Sequence, residues 1–178
     1  MSGFDKKQKA TVSVAVITSF ITTFTGSALN LSIPALNQEF AVSAAAIGWI
    51  VTGYMLTLAV LTVPFGRIAD LTSRKKILET GIFIFMVCAV LAVFSWKLWI
   101  LLVLRIMQGV GAAMIFSTNH AILISAFPES ERGRVLGYAL ASTYVGLAAG
   151  PVIGGVINHY LGWRFIFAFI AAVSFVSW

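Results

Sequence analysis

Arg105 lies seven residues into an apolar run that extends from 98 to 126, and it is the chain's only arginine or lysine placed well inside such a run. Carrying a guanidinium into hydrocarbon costs at least ~2.5–3.5 kcal/mol on insertion scales unless partners or water compensate. Gln108 stands one turn further on and can hydrogen-bond beside it. An ionisable residue so placed is either a functional group or a structural arginine snorkelling outward to the interface. Arginine does not titrate in proteins, so Arg105 cannot carry a proton itself. His120, nearer the other end of the run, is the one intramembrane side chain able to change charge near neutrality. The other reading of it is a histidine hydrogen-bonded between helices. The acidic residues Glu39, Asp70, Glu129 and Glu131 all lie between apolar runs.

A second group of charges is concentrated in 66–76, GRIADLTSRKK, which holds five of the chain's eighteen charged side chains. Gly66 and Asp70 are four apart, as are Asp70 and Arg74, so each pair shares a face if the preceding helix runs on. Asp70 can pair with Arg74 across a tight turn or sit at the positive end of a neighbouring helix. Gly66 would let another backbone come close. These residues, with Lys75, read either as a conformational latch or as ordinary charges of a short loop.

The elements that position these residues are membrane helices. The chain has 178 residues, 60% hydrophobic and 10% charged, with a mean hydropathy of +0.98; soluble domains are about a quarter charged. Apolar stretches fall at 11–36, 44–65, 77–94, 98–126, 135–157 and 164–178. Spanning segments must satisfy their own backbone hydrogen bonds, and the ~10-residue alternating strands of a barrel are missing, so six helices are expected. The first stretch is too long for the ~7–15-residue core of a signal peptide and is read as a retained helix. The last covers ~22 Å as a helix against ~30 Å of hydrocarbon, so the sixth helix is expected to be cut short.

Nine basic residues (Lys6, Lys7, Lys9, Arg67, Arg74, Lys75, Lys76, Arg132 and Arg134) fall on one side, against Lys97 and Arg164 on the other. That asymmetry predicts a cytoplasmic N-terminus and places Trp96, Trp99 and Trp163 at the outer interface. With no basic face or aromatic platform, the net charge of +6 reflects topology, and nucleic acid is not an expected partner. The single cysteine, Cys88, excludes an internal disulfide and reads as a small packing residue. No paired intramembrane carboxylates, His/Cys metal spacing or phosphate-cradling loop is present, so no enzyme, metal or cofactor is expected.

Small residues recur at four-residue steps in two runs. Gly109, Ala113, Ser117, Ala121 and Ser125 form one stripe, with Gly111 beside it; Ser142, Gly146, Gly150 and Gly154 form another. Such stripes admit close helix neighbours. Pro151, after Gly150 and before Gly154-Gly155, removes an amide donor mid-span and invites a kink.

Residues 66–76 resemble the loop signature of the major facilitator superfamily, Gly-x-Leu-Ala-Asp-Arg-x-Gly-Arg-Lys, with Leu71 for an arginine and Ser73 for a glycine. The run Leu101-x-x-x-Arg105-x-x-Gln108-Gly109-x-Gly111-Ala112-Ala113 is similar to that family's fourth-helix signature, which implies a coupling role for Arg105. Gly146-x-x-x-Gly150-Pro151-x-x-Gly154-Gly155 resembles the fifth-helix signature of its antiporters. Asn30 and Pro34 match the first-helix signature of the fourteen-helix drug:proton antiporters, with Ile33 a conservative fit, Ser32 for alanine and Thr25 at the acidic position. Gly162-Trp163-Arg164-x-Ile166-Phe167 resembles the start of their sixth helix.

The resemblance implies an all-α membrane protein: the N-terminal six-helix bundle of a major facilitator fold, built as two inverted three-helix repeats. It implies proton-coupled export of an amphipathic organic compound across the plasma (inner) membrane. Gly66, Asp70, Arg74 and Lys75 would form the gate, and Arg105, Gln108, Asn30 and His120 the coupling and substrate site. A C-terminal half is the expected partner, bringing the total to twelve or fourteen helices and supplying any proton-carrying carboxylate. Alone, the chain offers one wall of a pathway and is not expected to transport. Thr25 keeps an importer or symporter of the same fold open, and a non-transporting membrane sensor or scaffold is the reading from another class. The inside-positive reading predicts that a membrane-impermeant amine reagent leaves Lys6, Lys7 and Lys9 unmodified in intact cells; modification before lysis would reverse the topology.

Overall fold

The computed structural model of the protein describes residues 4–178. Seven α-helices follow in order: α1 (Lys6–Ala28), α2 (Ile33–Phe40), α3 (Ala44–Leu71), α4 (Arg74–Val93), α5 (Leu98–Ala126), α6 (Glu129–Tyr160) and α7 (Arg164–Ser177). A 3₁₀ turn, Leu29–Ser32, joins α1 to α2, so the two form the first span. Hydropathy drew 11–36 as one uninterrupted helix. The turn precedes Pro34, which has no amide proton to give the preceding turn. Five helical stretches are long and apolar enough to cross a membrane, while α7 has 14 residues.

Local capping sets the helix ends. Asp5 and Gln8 form a capping box on α1, with the Asp5 side chain accepting from the Lys6 amide at 2.7 Å and Gln8 Oε1 accepting from the Asp5 amide at 3.1 Å. Ser43 caps α3 through the Ala46 amide, and α2 stops where Ala41 turns left-handed at φ 50°. Ser73 caps α4 through the Lys76 amide, with φ −153°. That extended backbone needs no glycine, so the serine contributes a hydroxyl cap at this turn. Both α3 and α6 run past the stretches drawn from hydropathy, because helix continues into the polar turns at 66–71 and 129–134.

Packing follows the repeat. The first span lies along α6, α3 lies along α5, and exchanging the first three spans for the last three converts one pair into the other. The α4 helix fills the space between α5 and α7. One apolar core joins all of these elements around Phe24, Tyr54, Phe85, Leu101 and Phe167. A smaller cluster at the opposite end gathers Val12, Leu123, Phe127, Val135 and Ala139.

Glycine fixes the closest seams. On α6, a Cβ at Gly146 would overlap the Phe20 carbonyl, one at Gly150 would overlap Ser27 Oγ, and one at Gly154 would lie 2.7 Å from the Ala28 carbonyl. Gly155 meets only the Leu31 side chain. On α5, Gly109 faces the Tyr54 carbonyl of α3, and Gly111 faces the Gly81 carbonyl of α4. Ala113 is fully buried. Gly66, in contrast, has nothing nearer than Ser117 Cβ at 3.8 Å, so no close approach within this bundle requires it. The α6 helix continues through Pro151. Gly154→Ala should therefore destabilise the bundle by roughly 1–3 kcal/mol through overpacking. Gly137→Ala, in open space on the same helix, should stabilise it by up to ~1 kcal/mol through helix propensity. Thermal unfolding in detergent should move in opposite directions for the two variants; equal shifts would remove the seam argument.

Candidate functional site

On α5, Arg105, Gln108, Gly109 and Ala112 share a face by their three- and four-residue spacing, and all four are buried. That face meets α3 at Ile50 and Tyr54, one turn apart, and α1 at Thr25. The Arg105 guanidinium is fully buried. Its Nε donates to the Ile50 carbonyl at 3.2 Å, one Nη to Gln108 Oε1 at 2.7 Å and the other to the Thr25 carbonyl at 3.5 Å. The Tyr54 ring lies flat beneath it at 4.2 Å, and the Phe167 ring of α7 is 6.0 Å away. Arg105 therefore turns into the bundle, and the snorkelling reading fails. Tyr54 is held in turn by its hydroxyl, which donates to the Thr22 carbonyl at 2.8 Å.

Every partner of this guanidinium is neutral. Thr25, at the position where the resemblance expects an acid, turns its hydroxyl back to the Ile21 carbonyl at 2.6 Å. Gln108 Nε2 is buried without an acceptor. A buried charge satisfied only by carbonyls, an amide and π faces keeps its field, because nothing of opposite sign cancels it.

A cavity of about 490 Å³ opens beside this cluster, walled by Thr22, Thr23 and Gly26 of α1, Tyr54, Met55 and Thr62 of α3, and Phe116 of α5. Below it, Asn119 of α5 donates to the Ala15 carbonyl at 3.0 Å and to Ser19 Oγ at 2.9 Å. His120 is half-buried with its ring edge-on to Phe116, and among the described residues its side chain has no hydrogen bond. Its neighbour Asn119 ties the helices together instead. Asn30 is exposed in the 3₁₀ turn, and no hydrogen bond joins it to Arg105 or Gln108. The four coupling and substrate candidates thus separate into a buried pair, Arg105 with Gln108, and two isolated residues.

At the α3–α4 turn, Asp70 accepts from Arg74 Nε at 2.9 Å and from its Nη2 at 2.8 Å, while Arg74 also reaches the Ala121 carbonyl of α5 at 3.4 Å. Lys75 pairs with Glu79 at 3.5 Å on the exposed face. These contacts tie the α3–α4 turn to α5.

The end of the bundle away from that turn carries a clamp that spacing could not reveal, because Glu39 is more than a hundred residues from its partners. Glu39 accepts two hydrogen bonds from Arg164, at 2.6 and 2.9 Å, and a third from Trp163 Nε1 at 2.7 Å. Arg164 continues to the Ser95 carbonyl at 3.0 Å. Trp163 is consequently buried at 3% exposure, whereas Trp96 and Trp99 remain more than 70% exposed. It is a clamp residue rather than part of a lipid-facing belt. The Arg164 hydrogen bond, with help from Trp163, holds the Glu39 carboxyl below its ordinary value of 4.5. A depressed folded-state value means the clamp stabilises fully above 4.5 and is lost as the pH falls through the lower folded value. Thermal unfolding of the wild type should show an acid-side loss that Glu39→Gln lacks; parallel pH profiles would remove the clamp from the ledger of stability.

The sequence profile described as Major Facilitator Superfamily matches residues 15–178. Riboflavin transporter RibZ of Clostridioides difficile is 34% identical over 172 residues, 96% of this chain and 38% of that protein. Multidrug resistance protein Stp of Mycobacterium tuberculosis is 31% identical over 140 residues, 78% of this chain and 26% of its own. Drug efflux pump JefA of the same species is 27% identical, across 97% of this chain and 34% of its length. The chain thus spans between about a quarter and two fifths of these relatives. The crystal structure of a bacterial homolog of the human lysosomal transporter Spinster, in an inward-facing and unoccupied conformation, superposes with a TM-score of 0.82 at 17% identity. That match covers 99% of this chain and 43% of the other, the proportions of one half-bundle. Matched along nearly its full length and folded as paired three-helix repeats, this chain is an integral membrane protein that belongs to the Major Facilitator Superfamily.

Proposed function

We propose that the chain forms the N-terminal half of a secondary transporter that exports amphipathic organic compounds in exchange for protons. The observation that carries this reading is the buried Arg105–Gln108 pair, set against a cavity whose wall comes from four helices, α1, α3, α5 and α6. A guanidinium kept at such cost inside a bundle is retained for function more readily than for stability. The glycine seam of α6 against α1 supports the antiporter side of the reading, and the relatives named multidrug resistance protein and drug efflux pump support export. Gly150 and Pro151 would shape the α6 wall of the pathway, and Asp70 with Arg74 would latch the cytoplasmic side.

Proton coupling requires a titrating group. The carboxylates of Asp70, Glu79, Glu129 and Glu131 stand within two turns of the ends of α3, α4 and α6, none of them bonds Arg105, and Arg105 holds its proton, so this half would bias a carboxylate supplied elsewhere. Import by symport is the second reading, favoured by Thr25, whose hydroxyl is committed to its own helix where antiporters of this resemblance carry an acid. In inverted membrane vesicles containing the full-length protein, an imposed pH gradient should drive accumulation of Nile red, an uncharged amphipathic dye, and a protonophore should abolish it. Arg105→Gln should reduce the initial rate at least tenfold without loss of inserted protein. Transport indifferent to the gradient would exclude proton coupling, and movement with the proton would select the symporter.

A further inference from the structure

The cavity beside Arg105 has an unusual combination of features. Its wall contains four hydroxyls, on Thr22, Thr23, Tyr54 and Thr62, and each proton is already spent on a backbone carbonyl. Thr22 donates to Thr18 at 2.8 Å, Thr23 to Ser19 at 2.9 Å, Tyr54 to Thr22 at 2.8 Å and Thr62 to Leu58 at 2.5 Å. Thr23 and Thr62 are half-buried, so their oxygens can accept from a bound molecule, whereas Thr22 and Tyr54 are 1% exposed; none of the four has a proton left to give. The remaining wall is apolar, with Met55 and Phe116 on opposite helices. Behind Tyr54, 4.2 Å from its ring centre, sits the guanidinium of Arg105, which no acid neutralises.

A cation entering this cavity meets an uncompensated positive charge one ring thickness behind the wall, in surroundings that screen it poorly. An anion is drawn by that charge, yet the wall offers it no donor to replace lost water, and desolvating an unpaired ion is expensive. An uncharged molecule with an apolar body and a hydroxyl or amide donor faces neither penalty. We infer that this half-site binds an uncharged amphipathic solute carrying hydrogen-bond donors and rejects cations and anions of the same shape. The inference rests on the transporter reading, narrowing its substrate class, but it concerns binding and is independent of direction or coupling.

The test uses one scaffold in three charge states. Full-length protein in lipid nanodiscs would be titrated with 9-anthracenemethanol, 9-anthracenecarboxylate and 9-anthracenylmethylammonium, with binding read from fluorescence above empty nanodiscs. The alcohol should bind at least tenfold more tightly than either ion. Thr25→Asp, which places a carboxylate on the residue whose carbonyl already meets Arg105, should tighten the ammonium severalfold and narrow its gap to the alcohol. Thr62→Val keeps the shape but removes an acceptor; it should weaken the alcohol about threefold and leave both ions unchanged, and it keeps the test decisive if the aspartate variant does not fold. An ion that equals or beats the alcohol overturns the inference, as does absence of binding by all three, or a Thr62→Val effect common to the whole series. Because no gradient is imposed, failure here leaves the vesicle experiment untouched, and failure there leaves this ranking intact.

Discussion

Inside hydrocarbon a polar group can be satisfied only by the protein, and this constraint shapes the whole bundle. The α1 helix carries eight serine and threonine residues between Thr11 and Ser27. It tolerates them because six of these hydroxyls bond back to its own carbonyls and because neighbours surround it. Tyr54 from α3, Asn119 and Arg105 from α5, and Ser142 from α6 all donate to carbonyls of this one helix, at Thr22, Ala15, Thr25 and Val16. The Thr23 hydroxyl, 2.9 Å from the Ser19 carbonyl, also lies 3.0 Å from the Thr143 carbonyl of α6, which shares its one proton. The first span is thus a polar axle, and the other helices are arranged so that lipid rarely touches it.

Polar satisfaction holds the axle in register, but it does not bring helices together. Apolar side chains gain little by leaving lipid for protein, so close van der Waals contact must do that. Glycine supplies it where two backbones touch: Gly146, Gly150 and Gly154 against α1, Gly109 against α3, and Gly111 with Gly81 between α5 and α4. The two devices reinforce each other. A seam tight enough to place backbone against backbone also brings Ser142 within 2.7 Å of the Val16 carbonyl.

What the sequence disclosed follows from the range of each signal. Runs of apolar residues, an arginine out of place and glycines four apart are local, and hydropathy with helical spacing reads them directly. Gly81 is a lone glycine without a stripe, so its role emerged only with Gly111 opposite it. The Tyr54 platform and the Asn119 node escaped notice because each looks like an ordinary interior residue until a second helix is in place. The Glu39–Arg164 clamp joins residues 125 apart, a separation at which no periodicity speaks. Asn30 stands apart for a different reason. A motif match transfers residue type but not local geometry, and the 3₁₀ turn before Pro34 leaves that side chain exposed, apart from the Arg105–Gln108 pair.

The distribution of these bonds bears on motion. Hydrogen bonds, glycine seams and the Glu39 clamp all join elements within the bundle, and the Asp70–Arg74 pair also reaches α5 through the Ala121 carbonyl. An element tied at both ends and along its length moves as one piece, because sliding any helix would strand buried polar groups at a cost of roughly 1–3 kcal/mol each. Faces left without such ties include those of α3 and α6, where Val60, Val63, Tyr144 and Val152 are more than half exposed. Under the proposed alternating access, rearrangement would fall at those untied faces, with the axle and its guanidinium carried as a rigid block. A charge that stays fixed in such a block can bias whatever titrates across the cavity without moving or changing its own protonation, which is the one coupling role open to an arginine surrounded only by neutral partners.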